Sequence, residues 1–497
     1  MAIPNLFSLN FLMPGVAHKF DPRNAIRGLR GMPRSVLLPG QALNPNVLNT
    51  NKRLRVSAEW EAVSWFGEGS MLLAMWRAAM KNAALGMPVD VIILKDAETA
   101  EKAKGKITVS ADATHSSGEV MVYIGGTRIR VGVSTNDTTA TIRTKLLNAI
   151  NASVALPVTA AAGTGNGDLD LTCKWGGATG NDIDLRILHY QDDILPKGVS
   201  MSVTPMSGGA VDPDISPVIS ALKNHRSTQI AMPYTDSTNM GILEEELKLR
   251  WSYESMQDGQ AVTVKRGTEG EVTAWLEPRN CEQVHTICVT KDRTSPWETA
   301  AMAAAAIESH CAIDPAVPFT GVTLVGYQAA LKEDDFEWDT QKNNLLNAGG
   351  SVLEVMDDGT ANILRMVTDY VKHPSGANDP SWRNLNWVKT LSYYRWFVTT
   401  EIQIKYRGFK LAEYLAEPIP GQKIMTKALM EDIMLNCYDQ FIAAGLFQNR
   451  DYYQKTLEIE IDSANGKVKI IDKPVLVTQH YQTEITSEFE TGNVPAI

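Results

Sequence analysis

The sequence lacks most of the patterns that announce chemistry. It has no G-x-x-x-x-G-K followed by Ser or Thr, hence no phosphate-cradling loop of that kind. Gly163, Gly165 and Gly167 give G-x-G-x-G in a threonine-rich stretch, not the G-x-G-x-x-G that opens a helix after a strand. There is no G-x-S-x-G elbow, and none of the 8 histidines precedes a glutamate, which excludes H-E-x-x-H. Cysteine is scarce: Cys173, Cys281, Cys288, Cys311 and Cys437 are odd in number and scattered, so no disulfide framework is expected and a reducing compartment fits. Residues 1–16 are apolar, but they lack a basic leader and are interrupted by Pro4, Asn5, Ser8, Asn10 and Pro14, which is not a signal-peptide pattern. The longest small-apolar run, residues 300–307, lies between Glu298 and Glu308 and is far too short to span a bilayer. Basic charge is also short. With 47 Lys and Arg against 57 Asp and Glu the net charge is −10, which argues against a general nucleic-acid binder.

What is present is ordinary globular material in quantity. The 497 residues are 44% hydrophobic and 21% charged, enough for several domains. Residues 1–20 carry Ile3, Leu6, Phe7, Leu9, Phe11, Leu12 and Met13 without helical periodicity and read as an extended N-terminal arm that something must cover. Arg23, Arg27, Arg30 and Arg34 follow, broken by Gly28, Gly31 and Pro33, and read as a basic loop that is solvated or touches another subunit. Residues 60–85 are helical in character, and 89–94 form a buried strand. Residues 106–207 then turn rich in Thr, Val and Gly, with alternating runs at 106–110, 120–124, 128–133 and 168–173 and one helix at 138–152. This is a mostly β domain inserted into the chain.

Helix and strand alternate again from 208 to 335, as parallel βαβ units do, so residues 21–105 and 208–335 form one α/β core interrupted by the insertion. Ser295-Pro296-Trp297-Glu298 predicts a capping box at the start of a helix. Residues 336–480 read as a C-terminal α+β domain. It has a hairpin through Asp358-Gly359, amphipathic helices at 381–406 and 423–444, and a second hairpin through Asn465-Gly466. Residues 481–497 form a strand-like C-terminal arm with Tyr481, Thr483, Ile485, Ser487 and Phe489 on one face.

The remaining candidates for chemistry favour structure. Cys281, His285 and Cys288, with His310 and Cys311 downstream, do not have zinc spacing, and Cys288 sits where a small buried hydrophobe belongs, so no metal is expected. Asp334, Asp335, Glu337 and Asp339 have no histidine partner and read as a solvated or subunit-contact loop rather than an acid–base site. Trp387, Tyr393, Tyr394 and Trp396 lack a basic groove and read as core or interface. No cofactor is expected.

The segment Asn344-Leu345-Leu346-Asn347-Ala348-Gly349-Gly350, the Asp358-Gly359 hairpin, Thr368-Asp369-Tyr370 and the aromatic helix from Trp382 to Tyr394 resemble, in order and spacing, the contractile phage tail sheath family. Gly176-Gly177-Ala178-Thr179-Gly180-Asn181-Asp182 also resembles sheath proteins, and the whole chain is similar to the Mu-like branch. It departs at Gly350-Ser351, where isoleucine is common, and at Lys389-Thr390-Leu391, where paired arginines are common.

The resemblance implies a structural subunit, not an enzyme, that stacks in six-fold rings around a tail tube and contracts to drive the tube through the host envelope. It implies a tube-facing C-terminal domain, arms that add strands to neighbouring copies, and partners among tube, baseplate and tail terminator proteins, with no nucleic acid and no membrane insertion. The arm residues would be Ile3, Leu6, Phe7, Leu9, Phe11, Tyr481, Thr483, Ile485 and Phe489. Gln422, Lys423 and Lys427, on a Lys-bearing amphipathic helix, would face an acidic tube. The implied location is the virion tail, reached from the host cytoplasm. The alternatives are a soluble α/β enzyme with an unrecognised cofactor site, another self-assembling surface protein, or the sheath of an injection machine outside a phage particle.

Overall fold

The apolar runs of the sequence become one large sheet. In the computed structural model, which describes residues 29–44, 50–190, 192–223, 225–413 and 421–489, eight strands lie side by side. Their order is Ala361–Arg365, Gly350–Val355, Val284–Val289, Gln260–Arg266, Gln229–Ala231, Val36–Gln41, Val89–Leu94, Arg53–Arg55. The six inner strands are parallel, and an antiparallel strand closes each edge. Parallel strands must be covered on both faces, and Val36–Gln41, Val89–Leu94 and Val284–Val289 are buried at every residue. Helix Pro296–Ile313 packs on strands of this sheet and on helix Met71–Asn82, its run of alanines allowing close approach.

Strand Val36–Gln41 is a central element that sequence reading misses. Pro39-Gly40 is a turn signal, but the pairing with Gln229–Ala231 ends at Leu37, before the proline. The stretch 60–85 proves to be two helices, Glu59–Phe66 and Met71–Asn82, separated where Gly67 and Gly69 take φ of 81° and 74° and Ser70 caps the second. Ser295 makes no side-chain cap bond, so the expected capping box there is absent. One forms instead at Thr268 and Glu271. Between Val89–Leu94 and Gln229–Ala231 the chain builds a four-stranded and a three-stranded antiparallel sheet with helix Thr139–Ala152.

The chain divides into two compact units. The smaller takes the described residues up to Met32 together with Tyr394–Val477, and the larger takes Pro33–Tyr393 and the described residues from Thr478 on. Strands Gly350–Val355 and Ala361–Arg365 extend the large sheet, Gly350 pairing with Thr286, so the division falls inside helix Leu385–Lys405 and not near residue 336. The smaller unit is held by aromatic packing. Tyr394 meets Phe441 and Phe447 edge-on, Tyr438 stacks on Tyr453 at 3.7 Å, and the Tyr394 hydroxyl donates to Asp472 at 2.6 Å.

At the N-terminal ends of the parallel strands lies a fully buried carboxylate, Glu308. Arg34 donates to its Oε2 at 3.0 Å, the Thr228 hydroxyl donates to the same oxygen at 3.0 Å, and Lys389 Nζ bonds Oε1. Lys389 also donates to Gln229 Oε1 at 2.7 Å. Gln229 in turn donates to His285 Nε2 at 2.9 Å, so that nitrogen carries no proton. Burial, then the Lys389 charge, holds His285 well below its usual pKa and neutral. Arg34 is therefore a core residue and not part of a solvated basic loop. Arg30 pairs with Glu401 at 3.4 Å, while Arg23 and Arg27 lie outside the described residues. Lys389 is buried as well.

Asp369, of the Thr368-Asp369-Tyr370 motif, is a second buried carboxyl. Thr286 Oγ1 donates to its Oδ2 at 2.8 Å, and Oδ1 has no protein partner. Desolvation pushes its pKa up to about 7, against the pull of the Thr286 bond and of Arg279.

Two stability predictions follow from these carboxyls. Burial alone would raise the pKa of Glu308, but Lys389 and Arg34 together hold it at about 2. Its contribution is thus complete above the unfolded glutamate value of about 4.3 and is lost as pH falls towards 2. Removing one partner from a buried ion cluster costs roughly 3–5 kcal/mol, so Glu308→Ala should lower the urea midpoint at pH 7 by that equivalent, with the difference shrinking in acid. Asp369 has the opposite sign. Its folded pKa lies above the unfolded value of about 3.9, so stability is complete below pH 4 and falls as pH rises through 7. Asp369→Asn should flatten the decline in denaturation midpoint between pH 5 and pH 8, and an unchanged slope would show that Asp369 does not titrate there.

Candidate interaction surfaces

Open α/β sheets bind ligands beyond the carboxyl ends of their strands, where the strand order reverses. Here that point lies between Val36–Gln41 and Gln229–Ala231, and the chain itself fills it. Gln41, the last residue of its strand, donates to Asp96 Oδ1 and to the Gly176 carbonyl, each at 2.6 Å. The Gly176 amide donates to Asp96 Oδ2 at 2.8 Å, and the Ala178 and Thr179 amides donate to Asp212 Oδ1 at 2.7 and 3.3 Å. Gly177 takes φ of 122°, and a Cβ there would stand 2.6 Å from Asp212 Oδ1. Trp175 meets Trp297 edge-on at 5.7 Å and donates to the Thr179 hydroxyl at 3.0 Å. The Gly176–Asp182 motif is thus a plug whose glycines are required by close approach.

A cavity of about 580 Å³ remains at the ends of strands Gln260–Arg266 and Val284–Val289. Its cations are bound to its own walls. Arg266 donates to the Asp182 and Asp292 carbonyls at 2.6 and 2.8 Å, Arg186 to Asp184 at 2.8 Å, and Lys291 to Asp334 at 2.8 Å. Asp335 takes Lys342 at 2.6 Å. The acidic run is therefore partly tied down as a wall, and burial pushes the Asp184 and Asp292 carboxyls upward.

Cys281, Cys288 and Cys311 are buried thiols, and burial raises Cys281 to about 12 and Cys311 to about 11. Cys288 lies against Gly350, where a Cβ would come within 2.4 Å of its sulfur. Among the described residues, no group of three or more His, Cys, Asp or Glu is placed to hold a metal ion, and no helix is long and apolar enough to cross a membrane.

Of the arm residues, Ile3, Leu6, Phe7, Leu9 and Phe11 lie outside the described residues. The C-terminal segment is extended but joins no ladder, so the expected third strand has no partner among the described residues. Tyr481 lies half-buried with Arg365 stacked 4.3 Å from its ring centre. Thr483 is exposed, and Ile485 and Phe489 are 81% and 86% exposed.

The expected Lys-bearing helix begins later than its pattern suggests. Ile424–Met425 pairs with Lys410–Leu411, Thr426 caps, and Lys427 is the first residue of helix Lys427–Ala443. Gln422 and Lys423 are exposed just before it, and Lys410 donates to Gln422 at 3.0 Å. The parallel pair brings Lys410 beside Lys423, its amide donating to the Lys423 carbonyl at 2.9 Å. Sequence reading overlooked Lys410, whose only signal is the short basic run Lys405-Tyr406-Arg407-Gly408-Phe409-Lys410.

The family model for the phage tail sheath protein central domain matches residues 208–368. The Mu-like prophage FluMu tail sheath protein of Haemophilus influenzae is 30% identical over 463 residues, 93% of this chain and 94% of that protein. Among solved structures, the sheath tail protein of Desulfitobacterium hafniense aligns over 94% of this chain and 100% of its own, with 12% identity and a TM-score of 0.48. The contracted helical sheath of the anti-feeding prophage aligns over 97% and 100%, with 10% identity and a TM-score of 0.44. On the near-full-length relative and the central-domain match, this chain belongs to the phage tail sheath protein family, on its Mu-like branch.

Proposed function

We propose that this chain is the repeating, non-enzymatic subunit of a contractile tail sheath. It polymerises with six-fold helical symmetry around a tail tube, meets baseplate and terminator proteins at the two ends, and shortens to drive the tube through the host envelope. It assembles in the host cytoplasm and ends in the virion tail.

The observation that carries this reading within the chain is the extended C-terminal segment. Ile485 and Phe489 are left in solvent on a backbone with no ladder partner among the described residues. Exposed apolar strands are a liability unless another chain pairs with them. The hairpin Glu458–Asp462 with Lys467–Ile471 supplies edges of the matching kind, being a sheet of only two strands. One strand carries Glu458, Glu460 and Asp462, and the other Lys467 and Lys469, so the acidic C-terminal segment with Glu484 and Glu488 is suited to the lysine edge. About five main-chain bonds at roughly 1 kcal/mol each hold one arm. Contraction then needs only that the shortened lattice be lower in free energy than the extended one, and no nucleotide enters.

Three exposed cations, Lys410, Lys423 and Lys427, are suited to an acidic tube wall. Lys427 stands at the positive end of its helix, where a cation costs stability.

Deletion of residues 481–497 should leave a folded monomer that forms no cylinders in negative-stain electron microscopy, whereas the full chain forms striated tubes. Cylinders from the truncated chain would refute the arm's role. Lys427→Glu combined with Lys423→Glu should abolish co-assembly with the tube protein while leaving the melting temperature unchanged or slightly raised, because a carboxylate at a helix N-terminus contributes about 0.3–1 kcal/mol. Unimpaired co-assembly would remove these lysines from the tube interface.

A further inference from the structure

The chain passes between its two compact units three times, at Met32–Pro33, Tyr393–Tyr394 and Val477–Thr478. Within the larger unit, the segment leading to each passage is fastened to the same short piece of chain, the end of helix Pro296–Ile313 and the turn after it. Next to the first passage, Arg34 donates to Glu308 at 3.0 Å. Next to the second, Lys389 bonds Glu308, and one helical turn nearer the helix start Asn386 Nδ2 donates to the Pro315 and Val317 carbonyls at 2.9 and 2.8 Å. Next to the third, Gln479 Nε2 donates to the Ala316 carbonyl at 3.0 Å. Arg34, Asn386, Lys389 and Gln479 are all buried, so these bonds are shielded from water and salt.

We propose that residues 308–317 are a common root for all three passages. A pull on any one of them is delivered to a single buried helix, and through it to the centre of the large sheet on which that helix packs. Each bond is short-range, but all of them share one stretch of chain, and coupling between separate segments can be carried by such packed and hydrogen-bonded elements. If the chain works as the proposed sheath subunit, this root is where the load between its units enters the sheet. The root itself does not depend on polymerisation and is tested on the monomer.

The test is hydrogen exchange on the full-length monomer carrying Gln479→Ala, a substitution remote in sequence from the charged cluster. Amides in residues 386–393 and 314–317 should exchange about tenfold faster, while those of Gln260–Arg266 keep their rate. In the apolar triple replacement Arg34→Met, Glu308→Leu and Lys389→Met, a kind of exchange of charge for packing that cores tolerate, amides at 35–37 and 386–393 should speed up together. Faster exchange in the Gln479→Ala protein confined to residues 314–317 and 478–480, with 386–393 unaffected, would overturn the common root, and so would faster exchange at 35–37 without 386–393 in the triple replacement. Failure of the wild-type chain to form cylinders would count against the sheath reading and leave the root standing.

Discussion

A carboxylate cut off from water persists only if counter-charges are already in place, and Glu308 imposes that condition on the larger unit. Its partners come from distant parts of the sequence: Arg34 just before the first strand of the sheet, Thr228 just before Gln229–Ala231, and Lys389 in helix Leu385–Lys405. None of them can be placed until strand order is settled, so the cluster forms only when the sheet and its covering helices are in register. Such a cluster adds little net stability over an apolar core, but an incorrect packing would strand a charge. That asymmetry suits a subunit whose parts must keep their geometry inside a lattice.

The architecture is that of many enzymes, yet the N-terminal ends of the parallel strands and the point where the strand order reverses are occupied from within. Gln229, His285, Lys389 and Glu308 fill the N-terminal ends, and the Gly176–Asp182 plug fills the carboxyl ends where the strand order reverses. Fold does not dictate function, and here the ligand crevice has been given over to fastening the inserted sheets onto the core.

Much of this was legible in sequence. Alternation from 208 to 335 predicted parallel strands, and Val284–Val289 and Gln260–Arg266 lie within a residue of expectation. The Thr- and Gly-rich stretch predicted a mostly β insertion, and both hairpin turns stand where Asp358-Gly359 and Asn465-Gly466 place them. What was not legible depended on long-range pairing. Val36–Gln41 contains a turn dipeptide and becomes a strand because neighbours on both sides pair with it. Arg34 looked like one of four loop arginines, since nothing local reports a carboxylate 274 positions away. The late start of helix Lys427–Ala443 reflects a two-residue bridge to Lys410–Leu411, invisible to periodicity. The alternation at 481–489 was visible, but alternation alone does not say whether such a segment pairs within its own chain.

That last ambiguity bears on how a monomer avoids random association. Unpaired edges recruit strands indiscriminately unless charge discourages it. In the hairpin Glu458–Asp462 with Lys467–Ile471, charges alternate with Ile459, Ile461, Val468 and Ile470, and Lys469 already bonds Glu460 at 2.9 Å. A neutral apolar strand gains little from either edge, because it would desolvate lysines or glutamates without pairing them. A strand of complementary charge loses less, and its apolar positions fall on the same period of two. The Tyr481–Phe489 stretch has this composition, with glutamates at 484 and 488 set between Thr483, Ile485 and Phe489. Selectivity of this kind costs each contact some strength, which the proposed lattice would recover through repetition if every subunit offered an arm and presented an edge.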